Sequence, residues 1–143
     1  MPDLNSTASF NLEFDSVILE SFRKCTGVES ESEVIEYKEA TKGGKLLIRK
    51  FEGAMKWADI TLERRLEGSK ALWEWRKQVI DGDIDSARRS GSIVALDSMG
   101  KEVARWNFEA GWPSKYSGAD FDAGANDAAT ESLTIVHEGL ERV

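Results

Sequence analysis

Apolar and polar residues alternate with a period of two in one stretch after another of this chain, and only one stretch repeats at helical spacing. Alternation sends successive side chains to opposite faces of a strand, so such a chain folds into sheets. Phe10, Leu12 and Phe14 point one way, with Asn11, Glu13 and Asp15 opposite. Val17 to Cys25 reads as the hairpin partner, broken by Thr26-Gly27. Ile35 and Tyr37 then oppose Val34, Glu36 and Lys38, and Ala58, Ile60 and Leu62 oppose Asp59, Thr61 and Glu63. Ile93 to Leu96 turns through Asp97-Ser-Met-Gly100 into Val103 to Phe108, where Trp106 and Phe108 share a face. Trp112-Pro113 is expected to end that strand, because proline has no N–H for a ladder. In the closing strand, Thr130 to Glu138, Leu133, Ile135 and His137 oppose Thr134 and Val136.

The helical stretch follows Ser69, which suits an N-cap. Leu72, Trp75, Arg76 and Val79 recur at helical spacing, Ile80 widens the stripe, and Gly82 fits just past the C-terminus. Trp73 and Trp75 together carry more apolar surface than water tolerates, so this helix must pack on a sheet. Seven or eight strands and one helix make a mainly β protein, an antiparallel β-barrel or sandwich with one flanking α-helix. Residues 1–8 are small and polar and read as a loose N-terminal arm, and residues 9–143 as a single β-barrel domain.

Composition removes several classes of function. The chain has 143 residues, enough for one real core, and a net charge of -7, which disfavours nonspecific binding to nucleic acid or anionic membrane. Cys25 is the only cysteine, so neither an intrachain disulfide nor a four-thiolate zinc site is possible. No apolar run approaches 20 residues and no basic flank precedes an apolar h-region; the expectation is folding in a reducing cytoplasm, with no direct membrane anchor.

Catalytic chemistry is thin. His137 is the only histidine, and in a strand pattern it reads as a packed or surface side chain. Asp81-Gly-Asp83-Ile-Asp85 opens like a calcium loop, but Ser86 and Ser92 stand where the loop needs glycine and glutamate, so a solvated loop is expected. Gly43-Gly-Lys45 imitates a phosphate loop with Glu39 and Leu46 at the wrong places, and reads as a flexible turn. Arg49-Lys50, Arg64-Arg65 and Arg88-Arg89 are dispersed and read as solvated faces or subunit salt bridges. No cofactor or metal is implied, and the chain reads as a building block rather than an enzyme.

Seven separated blocks carry a resemblance. They are Glu33-Val-Ile-Glu-Tyr-Lys-Glu39, Ile60-Thr-Leu62, Leu72-Trp-Glu-Trp-Arg76, Ser92-Ile-Val-Ala-Leu-Asp97, Val103-Ala-Arg-Trp-Asn-Phe108, Trp112-Pro-Ser-Lys-Tyr116 and His137-Glu-Gly-Leu-Glu-Arg142. In order and spacing the chain resembles the tail tube (inner tube) proteins of contractile phage tails and extracellular contractile injection systems. The resemblance implies a barrel with a flanking helix, similar to the ring protein of type VI secretion, closed into hexameric rings that stack as a hollow tube. It implies as partners further copies of itself, a sheath protein, baseplate or tube-initiator and tube-terminator proteins, and DNA or effector protein in the lumen. It also implies assembly in the bacterial cytoplasm as part of a phage tail or a released injection particle.

Stacking needs a projecting element. The segment Lys38 to Lys56 mixes cations, glycines and apolar residues and suits a protruding hairpin better than a core strand. Lys45, Leu46, Leu47, Ile48, Arg49, Phe51 and Trp57 are the candidate contact residues between subunits or rings. Two other readings stay open: a monomeric β-barrel whose five tryptophans enclose a small ligand, and a hydrolase using two carboxylates.

Overall fold

A computed structural model of the protein describes residues 7–14, 17–66, 68–118 and 129–143. The chain divides into two compact units, Met1–Val28 with Asp59–Val143, and Glu29–Ala58. Residues 1–6 of the expected arm lie outside the described residues, and Thr7 and Ala8 already belong to the first strand.

The larger unit is an antiparallel sheet wrapped on itself. Its strands are β1 (Thr7–Phe14), β2 (Val17–Phe22), β3 (Lys24–Thr26), β6 (Ile60–Arg65), β7 (Arg89–Asp97), β8 (Glu102–Ser117), β9 (Thr130–Val136) and β10 (Gly139–Arg142). Their order is β2-β1-β7-β8-β9-β6-β3, with β10 added on β8. The two ends of that order are consecutive in the chain, separated only by Arg23, whose N–H donates to the Glu63 carbonyl at 3.1 Å. One continuous piece of backbone thus serves as first and last stave, and the sheet closes into a barrel.

Leu12, Phe22, Ile60, Leu62, Ile93, Phe108, Leu133 and Ile135 fill the interior. The ring of Phe108 occupies the space two glycines leave: a Cβ on Gly111 would stand 2.5 Å from Phe108 Cε2, and one on Gly91 2.8 Å from its Cζ. The hairpin expected from Val17 to Cys25 forms over β2, but β3 leaves β1 and pairs with β6. Nor is the far face of β1 solvated. Asn11 accepts from Ser21 Oγ at 2.8 Å and Glu13 receives Arg105 at 3.3 Å, so both polar residues are buried with partners.

The longest strand corrects the expectation about Pro113. β8 runs through Trp112 and Pro113 to Ser117, pairing with β7 as far as Gly111 and with β9 from Trp112. The Pro113 carbonyl accepts from Arg76 Nη1 at 3.1 Å, so its polar edge faces a helix and a missing N–H breaks no ladder bond. Ala110 takes a left-handed φ of 51° where the strand changes partners.

Helix α1 (Ala71–Ile80) packs on the barrel through Leu72, Trp75 and the partly buried Val79. Trp75 meets Phe14 edge-on at 5.0 Å, and its Nε1 donates to the Ala87 carbonyl at 2.7 Å. Three helix expectations change. Trp73 is exposed because one residue turns a helix about 100°, setting it away from Trp75, and it leans on Tyr116 at 5.5 Å instead. Ile80 is exposed for the same reason. Lys70, not Ser69, takes the N-cap position, and the Ser69 hydroxyl donates to Glu20. Gly82 does follow the helix, at φ 86°. The expected solvated loop contains a second short helix, α2 (Ile84–Ala87), whose Ala87 is fully buried.

The smaller unit is one long hairpin of β4 (Ser30–Ala40) and β5 (Leu46–Trp57). Thr41 N–H and Oγ1 both donate to the Lys45 carbonyl, at 2.9 and 3.0 Å, and Gly44 supplies the positive φ of 77° that the tight turn requires. Ala58 N–H donates to the Glu29 carbonyl at the other end. The expected flexible link is therefore an ordered turn.

Candidate assembly surface

The register of the hairpin sorts its side chains, because residues directly opposite share a face. Ile35 stands opposite Phe51, Tyr37 opposite Arg49 and Glu39 opposite Leu47 on one face. Val34 opposite Glu52, Glu36 opposite Lys50, Lys38 opposite Ile48 and Ala40 opposite Leu46 make the other. A bulge between Ser32 and Val34 shifts the pairing toward Ser30 and Trp57. Arg49 and Glu39 form an exposed ion pair at 3.3 Å.

Every residue of β4 is exposed, and the large apolar residues of the hairpin lie open to solvent by 42% to 63% of their surface. A two-stranded hairpin alone is marginal in water, and exposed apolar residues in this number are a feature that protein contact surfaces share. All seven candidate contact residues fall within this hairpin: Lys45 at the turn, Leu47, Arg49 and Phe51 on one face, Leu46 and Ile48 on the other, and half-buried Trp57 at the far end. Val34, Ile35, Tyr37 and Met55 belong to the same exposed apolar set and were missing from the sequence candidates. For Val34, Ile35 and Tyr37 the signal is the alternation in Glu33 to Glu39, which reads as an independent strand until the register pairs it with Leu46 to Phe51.

Among the described residues the barrel groups no comparable set of exposed apolar side chains. The five tryptophans are dispersed: Trp75 lies under α1, Trp73 beside Tyr116, Trp106 beneath the Arg142 guanidinium at 5.7 Å, Trp112 further along β8 and Trp57 in the hairpin. The interior is occupied by side chains, so a tryptophan-lined ligand cage does not form among the described residues. His137 lies near Phe108, with ring centroids 6.5 Å apart. Among the described residues no group of three His, Cys, Asp or Glu side chains could hold a metal ion. No described helix is long and apolar enough to cross a membrane.

The polar cluster in the barrel is structural in character. Arg64 was expected on a solvated face; it is buried, with Nε donating to Glu131 and Nη1 to Glu20. Its guanidinium also lies over the Phe22 ring at 5.8 Å, and Tyr116 donates to Glu131 at 2.6 Å. Burial opposes the Arg64 charge, but the hydrogen bond and charge of Glu131, with those of Glu20, outweigh it and hold the guanidinium above its usual value. Burial, then the bond to Glu131, pushes the Tyr116 hydroxyl up to about 12. Such groups fasten β2, β6, β8 and β9 together rather than facing a substrate.

Solved structures share this fold. A chain from the extended-state sheath–tube complex of PVC, an extracellular contractile injection system, matches with TM-score 0.72 at 20% identity, over 96% of this chain and 90% of that one. A chain from the tube-terminating cap of the anti-feeding prophage matches at 0.74 and 19%, over 100% and 93%. Hcp1 from Flavobacterium johnsoniae matches at 0.55 and 16%, over 93% of each chain. A sequence search of curated proteins finds no match. The profile of the T4-like virus tail tube protein gp19 family matches residues 6–141, nearly the whole length, and the chain belongs to that tail tube family.

Proposed function

We propose that this protein is the repeating subunit of the hollow inner tube of a contractile injection particle or phage tail. Copies close into hexameric rings, and rings stack into a conduit that a shortening sheath drives through a target envelope. The role is mechanical and needs no reaction at the subunit. Assembly begins in the bacterial cytoplasm at a baseplate or tube initiator, ends at a terminator, and leaves a lumen for DNA or effector protein.

One observation carries this reading beyond family membership: the hairpin Glu29–Ala58 leaves eight large apolar residues, three on β4 and five on β5, exposed in the single chain. Burying such a surface in neighbouring copies removes it from water, at roughly 25 cal/mol per Å2. A heterologous contact that closes by rotation makes a ring, and one that does not close makes a stack. The contact between rings is assigned to Lys45, Leu46, Leu47, Ile48, Arg49, Phe51 and Trp57. Negative-stain microscopy with native mass measurement tests the reading. Six-membered rings or long hollow rods are expected; a monomer at every concentration and salt would overturn it.

A further inference from the structure

The charges of the hairpin are segregated along its length. Residues 38–50, around the turn, hold Lys38, Lys42, Lys45, Arg49 and Lys50 against the single acid Glu39. Residues 29–36 and 52–57 hold Glu29, Glu31, Glu33, Glu36 and Glu52 against the single cation Lys56. The hairpin as a whole is neutral, so the net charge of -7 resides in the rest of the chain.

Internal pairing does not erase the two poles. The Arg49–Glu39 ion pair and the Glu36–Lys50 and Glu31–Lys56 juxtapositions account for three charges of each sign. Lys38, Lys42 and Lys45 still mark the turn, and Glu29, Glu33 and Glu52 the opposite end. At about 3.3 Å per residue the centres of the poles are some 25 Å apart, about three Debye lengths at physiological salt. Each pole therefore acts on what lies beside it rather than on the other.

We infer that the hairpin docks head to tail on a second copy, its cationic turn against the acidic end of the hairpin in the next layer. This deepens the tube reading and rests on it. Parallel hairpins side by side would set like poles together. An antiparallel pair would match opposite poles but close as a two-fold dimer that cannot extend. Head-to-tail contact alone matches the poles and repeats without limit. The apolar residues supply adhesion and the poles supply direction, the usual division between burial and charge at an interface.

Charge reversal tests this. One variant carries Lys38→Glu, Lys42→Glu and Lys45→Glu; a second carries Glu29→Lys, Glu33→Lys and Glu52→Lys; a third carries all six. Arg49–Glu39 and Glu36 opposite Lys50 stay in place in all three. Rings are expected from every variant, but at least tenfold fewer rods from the first or second alone. An equal mixture of those two should restore rods, and the third should build rods that exclude the unaltered protein in two-colour labelling. Rods from each single-pole variant at the unaltered yield would overturn the inference while leaving the tube reading intact. Restoration by neither the mixture nor the six-fold variant would also overturn it. Absence of rings from the unaltered protein would instead remove the tube reading, and this inference with it.

Discussion

Arg64 and Glu131 stand directly opposite each other on β6 and β9, guanidinium to carboxylate, with each side chain only 3% exposed. Glu20 from β2 holds the same guanidinium and takes the Ser69 hydroxyl, while Tyr116 from β8 holds the same carboxylate. One cation thus ties the returning end of the barrel to its last staves.

Removing one partner of such a cluster strands the others without compensation. Arg64→Met is expected to lower unfolding free energy by about 3–5 kcal/mol, read by urea denaturation. Arg64→Lys should recover only part of that, because an ammonium lacks the fork that serves two carboxylates. Equal stability of Arg64→Met and the unaltered protein would show that the cluster does not hold the barrel together.

Gly111 tests the packing around Phe108. A methyl group there would lie 2.5 Å from the ring, which is itself packed in the buried core cluster. Gly111→Ala should cost about 1–3 kcal/mol. Phe108→Leu in the same chain should offset part of this loss, giving a coupling energy in a double-mutant cycle. Strictly additive effects would separate the two residues.

Burial pushes the Cys25 thiol up to about 12, from an ordinary value of 9.0. The native chain then holds protons that the unfolded chain releases between those values. Stability should be complete below about pH 9 and fall as pH rises toward 12, with Tyr116, also raised to about 12, adding to the decline. A thiol reagent at pH 8 should label native protein far more slowly than protein in urea. Cys25→Ser should flatten the lower part of the alkaline decline.

Leu47 and Phe51 lie on one face of the hairpin and are exposed in the isolated chain. Leu47→Glu with Phe51→Glu should therefore change unfolding free energy by no more than about 0.5 kcal/mol per site. Rod yield should fall at least tenfold in the same preparation. A large drop in melting temperature would mean that these residues support the fold rather than contact between copies.

Local periodicity carried most of the architecture. The alternation of Phe10 to Phe14, Ile93 to Leu96 and Leu133 to Ile135 placed strands where they lie, and Leu72, Trp75 and Val79 placed the helix. Arg64 was misplaced because its charge was read instead of its phase. Ile60, Leu62 and Arg64 share one face of β6, as Glu131, Leu133 and Ile135 share one face of β9, so both ionic partners continue a buried row. Pro113 was misread because what decides its cost is the Arg76 side chain on its open edge, a contact 37 positions away in sequence. β10 lies beyond the closing strand expected to end at Glu138: four residues with one apolar side chain give no period, and only pairing with β8 orders them. In the hairpin, composition showed that Leu46 to Phe51 did not belong in a core. The far apolar half, Val34, Ile35 and Tyr37, became visible only with the register.

The junction at Gly27 and Asp59 has a consequence for how this family member can change. Gly27 adopts φ 89° so closely against the Asp59 carbonyl that a Cβ would stand 1.8 Å from its oxygen. Outgoing and incoming chain are thus clamped together where the barrel stops. Everything from residue 29 to residue 58 hangs from one fixed doorway. It can be shortened, rewritten or exchanged for another sequence without moving a stave. A segment joined to the barrel only through that doorway behaves as an interchangeable cassette, open to rewriting while the barrel keeps its form.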